Sequence, residues 1–159
     1  MEISISNIAW DINIDKKIIS ILKRKNVRYI DIAPTKYFQN IRDIPEKDVL
    51  KIKDYWNNEG ISFYGMQSLL FGVQDLNIFS SEKDQKYILE YLERIFKIGN
   101  LLGTSKVVFG SPKNRDKKNL DDKIAFQVAT NFFRKLSDLG EIFGQIICLE
   151  PNPTEYGCN

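Results

Sequence analysis

The stretch ICLEPNP, residues 147–153, places Glu150 at the end of an apolar run. Removing a carboxylate from water costs free energy unless a cation, a metal ion or hydrogen bonds compensate for it. Pro151 and Pro153 restrict the backbone that follows, which fixes the direction of the glutamate side chain. Glu150 is therefore a candidate acid/base or metal ligand, with a structural ion pair as the alternative.

Polar side chains also follow or interrupt four other apolar runs. Hydroxyl, amide and charged groups that converge on one rim are what a small polyhydroxylated substrate requires. Asp31 interrupts the run YIDIA, where its charge needs a partner, either in a structural ion pair or in a site. In SPKNRD, Lys113 or Arg115 is a candidate phosphate ligand, with a solvated turn as the alternative. The remaining candidates, each with a loop or helix-cap alternative, are Asn7, Asp11, Lys36, Gln67 and Asn152.

The composition excludes several classes of protein and site. Histidine is absent from the 159 residues, which excludes Ser-His and Cys-His triads and His-ligated metal sites within this chain. The formal net charge of +2 is too small to indicate nucleic-acid binding. No apolar run reaches the roughly 18 residues that a membrane span needs. Cys148 and Cys158 provide no disulfide framework, so we expect a cytoplasmic protein.

Short apolar runs alternate with amphipathic helical patterns along the chain. Each run is rich in Ile, Val, Phe and Tyr, and the runs cover residues 3–10, 27–33, 61–67, 105–110 and 145–151. The helical patterns begin near Ile14, Pro45, Ser81 and Asn119. Strands joined by crossover helices form a parallel sheet, and we expect both of its faces to be covered.

The carboxyl ends of parallel strands bring functional groups together in two architectures, an open doubly wound sheet and a (β/α)₈ barrel. Neither G-x-G-x-x-G nor G-x-x-x-x-G-K-[ST] follows any run, which disfavours nucleotide-binding forms of the open sheet. The sequence predicts an α/β fold of parallel β/α units, with about five strands and four helices.

Five segments resemble, in order and spacing, the sugar phosphate isomerase/epimerase group of the xylose isomerase-like TIM-barrel superfamily. They are SISNIAWD, YIDIAPTKYF, YGMQSLLFG, KVVFGSPKNR and CLEPNP, one at each predicted strand. Through this resemblance Glu150 is expected to ligate a metal ion and to act as an acid/base. The substrate-binding residues implied in the same way are Asn7, Asp31, Gln67, Lys113 and Asn152.

The resemblance implies metal-assisted proton transfer on a sugar or sugar phosphate, with a divalent Mn, Mg, Co or Zn ion. A complete (β/α)₈ barrel typically has about 250 residues. We therefore expect residues 1–159 to be a single domain, truncated after its fifth strand and lacking the family's other metal ligands. We expect a small-molecule partner, neither nucleic acid nor membrane, and homo-oligomers through open sheet edges. Two alternatives remain: an inactive fragment acting only through self-association, and a hydrolase similar to metal-dependent abasic-site endonucleases.

Overall fold

A computed structural model describes residues 2–73 and 76–152 of the chain. Pro153 and Cys158, which entered the sequence predictions, lie outside this part. The predicted alternation of strands and helices is confirmed, and each strand is shorter than the apolar run that contains it. The strands are β1 (Ser4–Ser6), β2 (Tyr29–Ile32), β3 (Ser62–Met66), β4 (Lys106–Phe109) and β5 (Ile146–Leu149). The helices are α1 (Asp15–Arg24), α2 (Glu46–Asn57), α3 (Glu82–Leu102) and α4 (Asp122–Ile142).

The five strands form one parallel sheet in the order β1-β2-β3-β4-β5. Each strand is added beside the one before it, so right-handed crossovers leave successive helices on the same face. On that face α2 packs against α3, and α3 packs against α4. The expected cover on both faces is therefore wrong for the described sheet, because helices on two faces require the strand order to reverse.

Side chains alternate along each strand and separate a helix-covered core from an uncovered face. On the three central strands, the apolar side chains that point toward the helices are at most 6% exposed, among them Ile30, Ile32, Phe63, Val107 and Phe109. The other face, called the inner face below, carries Tyr29, Asp31, Tyr64, Lys106 and Ile146. It mixes charged, aromatic and aliphatic side chains, and no described helix packs on it.

Local sequence signals explain the position of α3. The Oγ of Ser81 accepts a hydrogen bond from the N–H of Asp84 at 3.2 Å, and the Asp84 carboxylate accepts one from the N–H of Ser81 at 3.3 Å. Gly103 ends the helix in the left-handed region, with φ of 85°. Within the described ranges, no helix is long and apolar enough to cross a membrane.

Candidate functional site

A cleft of about 890 Å³ opens at the carboxyl ends of β3, β4 and β5. The backbone that follows each strand forms its walls, which places the cleft where parallel α/β sheets bind ligands. The lining residues that matter for its chemistry are Gln67, Gly110, Ser111, Lys113, Lys118 and Glu150.

Glu150 lies at this cleft, immediately after β5. Its N–H donates to the carbonyl of Phe109 at 3.3 Å and so continues the pairing of β5 with β4 by one residue. Its carbonyl accepts a hydrogen bond from Nη2 of Arg115 at 2.8 Å. The carboxylate lies against Gly110, where a Cβ atom would collide with it. The backbone of Glu150 is thus held from two sides, and its side chain turns toward the neighbouring strand end.

Gln67 follows β3 and lines the same cleft. Its Nε2 donates to Oγ of Ser6 at 2.7 Å, and its Oε1 accepts from Oγ of Ser68 at 2.8 Å. Its backbone N–H donates to the carbonyl of Ile32 at 3.0 Å. These bonds connect the ends of three adjacent strands and orient the amide. One N–H of the amide group remains beyond the bond to Ser6, and it is a donor suited to a substrate hydroxyl.

Lys113 and Asn152 occupy the cleft rim in different ways. Lys113 is exposed and lines the cleft. Asn152 uses its Nδ2 for the carbonyls of Gly110 at 2.8 Å and Glu150 at 3.2 Å. Nη2 of Arg115 also donates to the carbonyl of Gly110, at 3.4 Å. Asn152 and Nη2 of Arg115 therefore hold the backbone around Glu150, and Arg115 is not among the residues that line the cleft. The substrate-binding role of Asn152 stays a prediction.

Asn7, Asp11 and Lys36 make structural contacts near the end of β1. Asn7 is completely buried, and its Oδ1 accepts from the N–H of Ala33 at 2.8 Å. Nζ of Lys36 donates to the carbonyls of Asn7, at 2.6 Å, and Trp10. Asp11 caps a short 3₁₀ helix by accepting from the N–H of Asn13 at 2.9 Å. These contacts agree with the loop or helix-cap alternative that was given for each of the three residues. The substrate-binding role of Asn7 stays a prediction.

Asp31 lies on the inner face, in register with Ser6 on β1 and Gly65 on β3. A Cβ atom on Gly65 would lie 2.7 Å from Oδ1 of Asp31, so this glycine makes room for the carboxylate. Within the described residues Asp31 forms no salt bridge, which leaves the structural ion pair unsupported there. Its substrate-binding role stays a prediction. On the same face, Nζ of Lys106 lies 3.2 Å from the hydroxyl of Tyr64.

The fold of the chain is similar to that of several solved structures. No family model and no curated protein matches the chain. The match to a sugar phosphate isomerase/epimerase from Parabacteroides distasonis covers 93% of this chain and 50% of that protein's chain, with 12% sequence identity and a TM-score of 0.66. The match to D-psicose 3-epimerase from Clostridium cellulolyticum, solved with D-tagatose, covers 97% of this chain and 53% of that one, with 16% sequence identity and a TM-score of 0.71. The match to the IOLI protein, solved with a zinc atom, covers 94% of this chain and 51% of that one, with 15% sequence identity and a TM-score of 0.65.

The chain folds as half of a TIM barrel. It spans about half the length of the structures it matches, one of which is described as a Xylose Isomerase domain protein from Alicyclobacillus acidocaldarius. The resemblance predicted from five short segments is therefore confirmed at the level of the fold. In this half-barrel the inner face corresponds to the interior of a closed barrel, where side chains from all eight strands pack together.

The half-barrel also contains a buried polar network that sequence reasoning missed. The carboxylate of Asp15 accepts from Nε1 of Trp10 and from the hydroxyl of Tyr37, each at 2.7 Å. Nε1 of Trp56 donates to the same hydroxyl at 3.2 Å. Burial and then the hydrogen bond and charge of Asp15 raise the pKa of Tyr37. The network holds the loops after β1 and β2 against α2, beside Asn7.

The described residues do not by themselves fit the divalent ion that the resemblance implies. Across residues 2–73 and 76–152 there is no group of three or more Cys, Asp or Glu side chains that could hold a metal. Glu150 supplies one carboxylate at the cleft, whereas hard divalent cations take about six oxygen ligands. The metal-ligating role of Glu150 stays a prediction that requires further ligands.

Proposed function

We propose that the half-barrel forms part of the active site of a carbohydrate isomerase or epimerase, in which Glu150 transfers a proton. The observation that carries this proposal is the position of the Glu150 carboxylate at the carboxyl end of β5, facing a cleft shared with Gln67. Solved proteins of the same fold are described as sugar isomerases and epimerases, which supports the reaction class.

The chemistry proposed for Glu150 is general acid–base catalysis. Its carboxylate would take the proton from a carbon next to the substrate carbonyl, and the electron pair of that C–H bond would form an enediolate, with the negative charge on the former carbonyl oxygen. Delivery of a proton to the opposite face of the same carbon, by a second acid on that face, gives an epimer. Delivery by Glu150 to the former carbonyl carbon, with the neighbouring hydroxyl proton moved to the former carbonyl oxygen, gives an isomer. The carboxylate is exposed and forms no ion pair with any described residue, so it is available as a base.

Gln67 and Lys113 are proposed to position the substrate for this transfer. The Gln67 amide is held by Ser6 and Ser68, so its free N–H keeps one direction without further loss of side-chain entropy. Lys113 is exposed and lines the cleft after β4, and its ammonium group would contact a charged or hydroxylated part of the substrate. Asn152 would act indirectly, by holding the backbone carbonyls of Gly110 and Glu150.

The remaining walls of the site are proposed to come from further β/α units. Ile146 and Leu149 on the edge strand β5 are 61% and 52% exposed, which is costly for aliphatic side chains and is relieved by another strand. Three more units would complete an eight-stranded barrel, whereas two copies of this sheet would bring ten strands together. A completing polypeptide therefore fits the barrel geometry better than a second copy does.

Solvent hydrogen exchange tests the proposal. The chain is joined to the C-terminal β/α units of D-psicose 3-epimerase and incubated in D₂O with ketoses and ketose phosphates, with and without Mn²⁺. We expect deuterium to enter the carbon next to the carbonyl, detected by NMR. Glu150→Gln keeps the shape of the side chain and removes its basicity, so we expect the exchange rate to fall about 100-fold or more.

Glu141→Gln is the matched control, since it makes the same chemical change at an exposed position of α4 away from the cleft. It should leave the exchange rate within about twofold of the parent. An exchange rate that survives Glu150→Gln unchanged would exclude Glu150 as the proton-transferring group.

A further inference from the structure

The five described strands contain two charged residues, and both lie on the inner face. Asp31 on β2 is in register with Gly65 on β3. Lys106 on β4 directly precedes Val107, which is in register with Met66, so Lys106 lies beside Gly65. The sheet therefore carries one carboxylate and one basic side chain in a single row, with Gly65 between them. Opposite charges in such a row can neutralise each other without any group from outside the sheet.

Gly65 leaves open the space between the two charged side chains. A Cβ atom on this residue would lie 2.7 Å from Oδ1 of Asp31 and 3.7 Å from Cβ of Lys106. The carboxylate thus lies over β3, on the side of β4, and the stem of the lysine borders the same gap. The register between β2 and β3 shifts by one residue here, and the extra residue on β3 is Tyr64. A side chain at position 65 would close the path between the carboxylate and the ammonium group.

In the open sheet the two charges stay apart. Nζ of Lys106 lies 3.2 Å from the hydroxyl of Tyr64 and 4.3 Å from the centre of its ring. Tyr64 is 41% exposed, so this part of the inner face is accessible to solvent. An ion pair in water contributes little to stability, because both partners are well hydrated when apart. The tyrosine therefore holds the ammonium group as long as the face is open.

Covering the inner face reverses this balance. The chain spans about half of the barrels that it matches, and inner-face side chains of a complete barrel pack together. Once water is excluded, a charge without a partner is costly to bury, whereas a close pair of opposite charges costs much less. The ammonium group of Lys106 reaches Asp31 by a turn of its flexible stem, since Gly65 leaves the way free.

We propose that Asp31 and Lys106 form an ion pair across Gly65 when further β/α units cover the inner face. The pair leaves this face without net charge, so the face is an interface for a surface of uncharged side chains. The occupant is the set of completing units, because a second copy of the sheet would add two more charges to the same interior. The presence of completing units rests on the proposed function, whereas the pairing rests on the row of three residues.

The stability of the joined protein tests the pairing. Asp31→Asn and Lys106→Met each leave one buried charge without its partner, and we expect each to lower the urea midpoint by about 1 M or more. The double variant should recover to within about 0.5 M of the parent, because it leaves no charge to bury. In the chain alone, where the face is open, each change should shift the midpoint by less than about 0.3 M.

The matched control is the exposed ion pair of Glu46 and Lys97, which connects α2 with α3 away from the inner face. Glu46→Gln, Lys97→Met and their double variant should each shift the midpoint of the joined protein by less than about 0.3 M. Additive losses from the Asp31 and Lys106 changes would overturn the pairing. A loss from Asp31→Asn alone would assign the cation to the completing units and overturn the uncharged interface.

Cross-linking of the chain itself gives a measurement that does not depend on the joined protein. A water-soluble carbodiimide joins a carboxylate to an amine, with loss of water, where the two groups meet. We expect mass spectrometry to detect the amide between Asp31 and Lys106, and Gly65→Ala to lower its yield at least about fivefold relative to the Lys23–Glu59 pair, the internal standard. Absence of this product, or a yield that Gly65→Ala leaves unchanged, would count against the pairing. Recovery in the double variant without hydrogen exchange would refute the proposed function alone, and exchange without recovery would refute the pairing alone.

Discussion

Replacement of Tyr37 by phenylalanine removes one hydroxyl from the centre of the Asp15 network. That hydroxyl donates to the buried carboxylate of Asp15 at 2.7 Å and accepts from Nε1 of Trp56 at 3.2 Å. A hydrogen bond to a charged group contributes about 1.5–3 kcal/mol, and a donor left without a partner costs about 1–3 kcal/mol. Since the two effects overlap in one small network, we expect Tyr37→Phe to lower the free energy of unfolding by about 2–4 kcal/mol.

Urea unfolding followed by tryptophan fluorescence measures this loss directly, because both tryptophans of the chain, Trp10 and Trp56, belong to the network. With a slope of roughly 2 kcal/mol per molar urea, the midpoint should fall by about 1–2 M. Tyr55→Phe is the matched control, since the hydroxyl of Tyr55 forms no hydrogen bond within the described residues, and it should change stability by less than about 0.5 kcal/mol.

The pH dependence gives a second, independent measure of the same network. Burial and Asp15 raise the pKa of Tyr37 in the folded chain, whereas in the unfolded chain the group ionises near pH 10. The stability contributed by the protonated hydroxyl is therefore complete below about pH 10 and is lost as pH rises above it, with a slope of up to about 1.4 kcal/mol per pH unit. Tyr37→Phe lacks this slope, so the two proteins should converge in stability above pH 10. Two results would refute the stabilising role of the Asp15 network. One is a shift of the urea midpoint below about 0.3 M, and the other is a difference in free energy of unfolding between parent and variant that stays constant up to pH 11.5.

Two further predictions concern the cleft and the sheet edge. Gly110→Ala places a Cβ where the Glu150 carboxylate lies and should displace that group. Hydrogen exchange in the joined protein should then slow at least about tenfold. An unchanged exchange rate in a folded variant would contradict the proposed position of the carboxylate. The exposed edge of β5 predicts concentration-dependent association of the chain in analytical ultracentrifugation, weakened by Ile146→Lys and not by Ile142→Lys on α4; a constant monomer mass would count against it.

Local sequence signals were sufficient for the elements. The capping residues Ser81 and Asp84 and the helix-ending Gly103 act within a few residues of α3, so their effect can be read without knowing the fold. The apolar runs located all five strands for the same reason. Glu150 was singled out because a carboxylate between an apolar run and a proline is costly when it is buried; in the structure Glu150 is exposed, so solvent removes that cost and its role as a site residue stays a prediction.

Long-range contacts determine the hydrogen-bond partners of several other polar residues. Asn7, Arg115 and Asn152 bond to backbone groups that lie 26 to 42 positions away in the chain, so no local pattern predicts these bonds. Lys118 was not predicted to line the cleft, because the local sequence does not distinguish it from Lys117, which forms an ion pair with Asp122. Asp15 was missed because an acid in the first turn of a helix is also what the helix dipole favours.

The amino-acid sequence by itself determined a succession of parallel β/α units and a carboxylate at the end of the fifth strand. Hydrophobic period, caps and strand ends are all set by neighbouring residues. Only the tertiary structure decided that the helices lie on one face, that the inner face is open and that two lysines share a cleft with Glu150. Those features depend on the strand order and on which distant backbone groups each polar side chain meets, and local patterns contain neither.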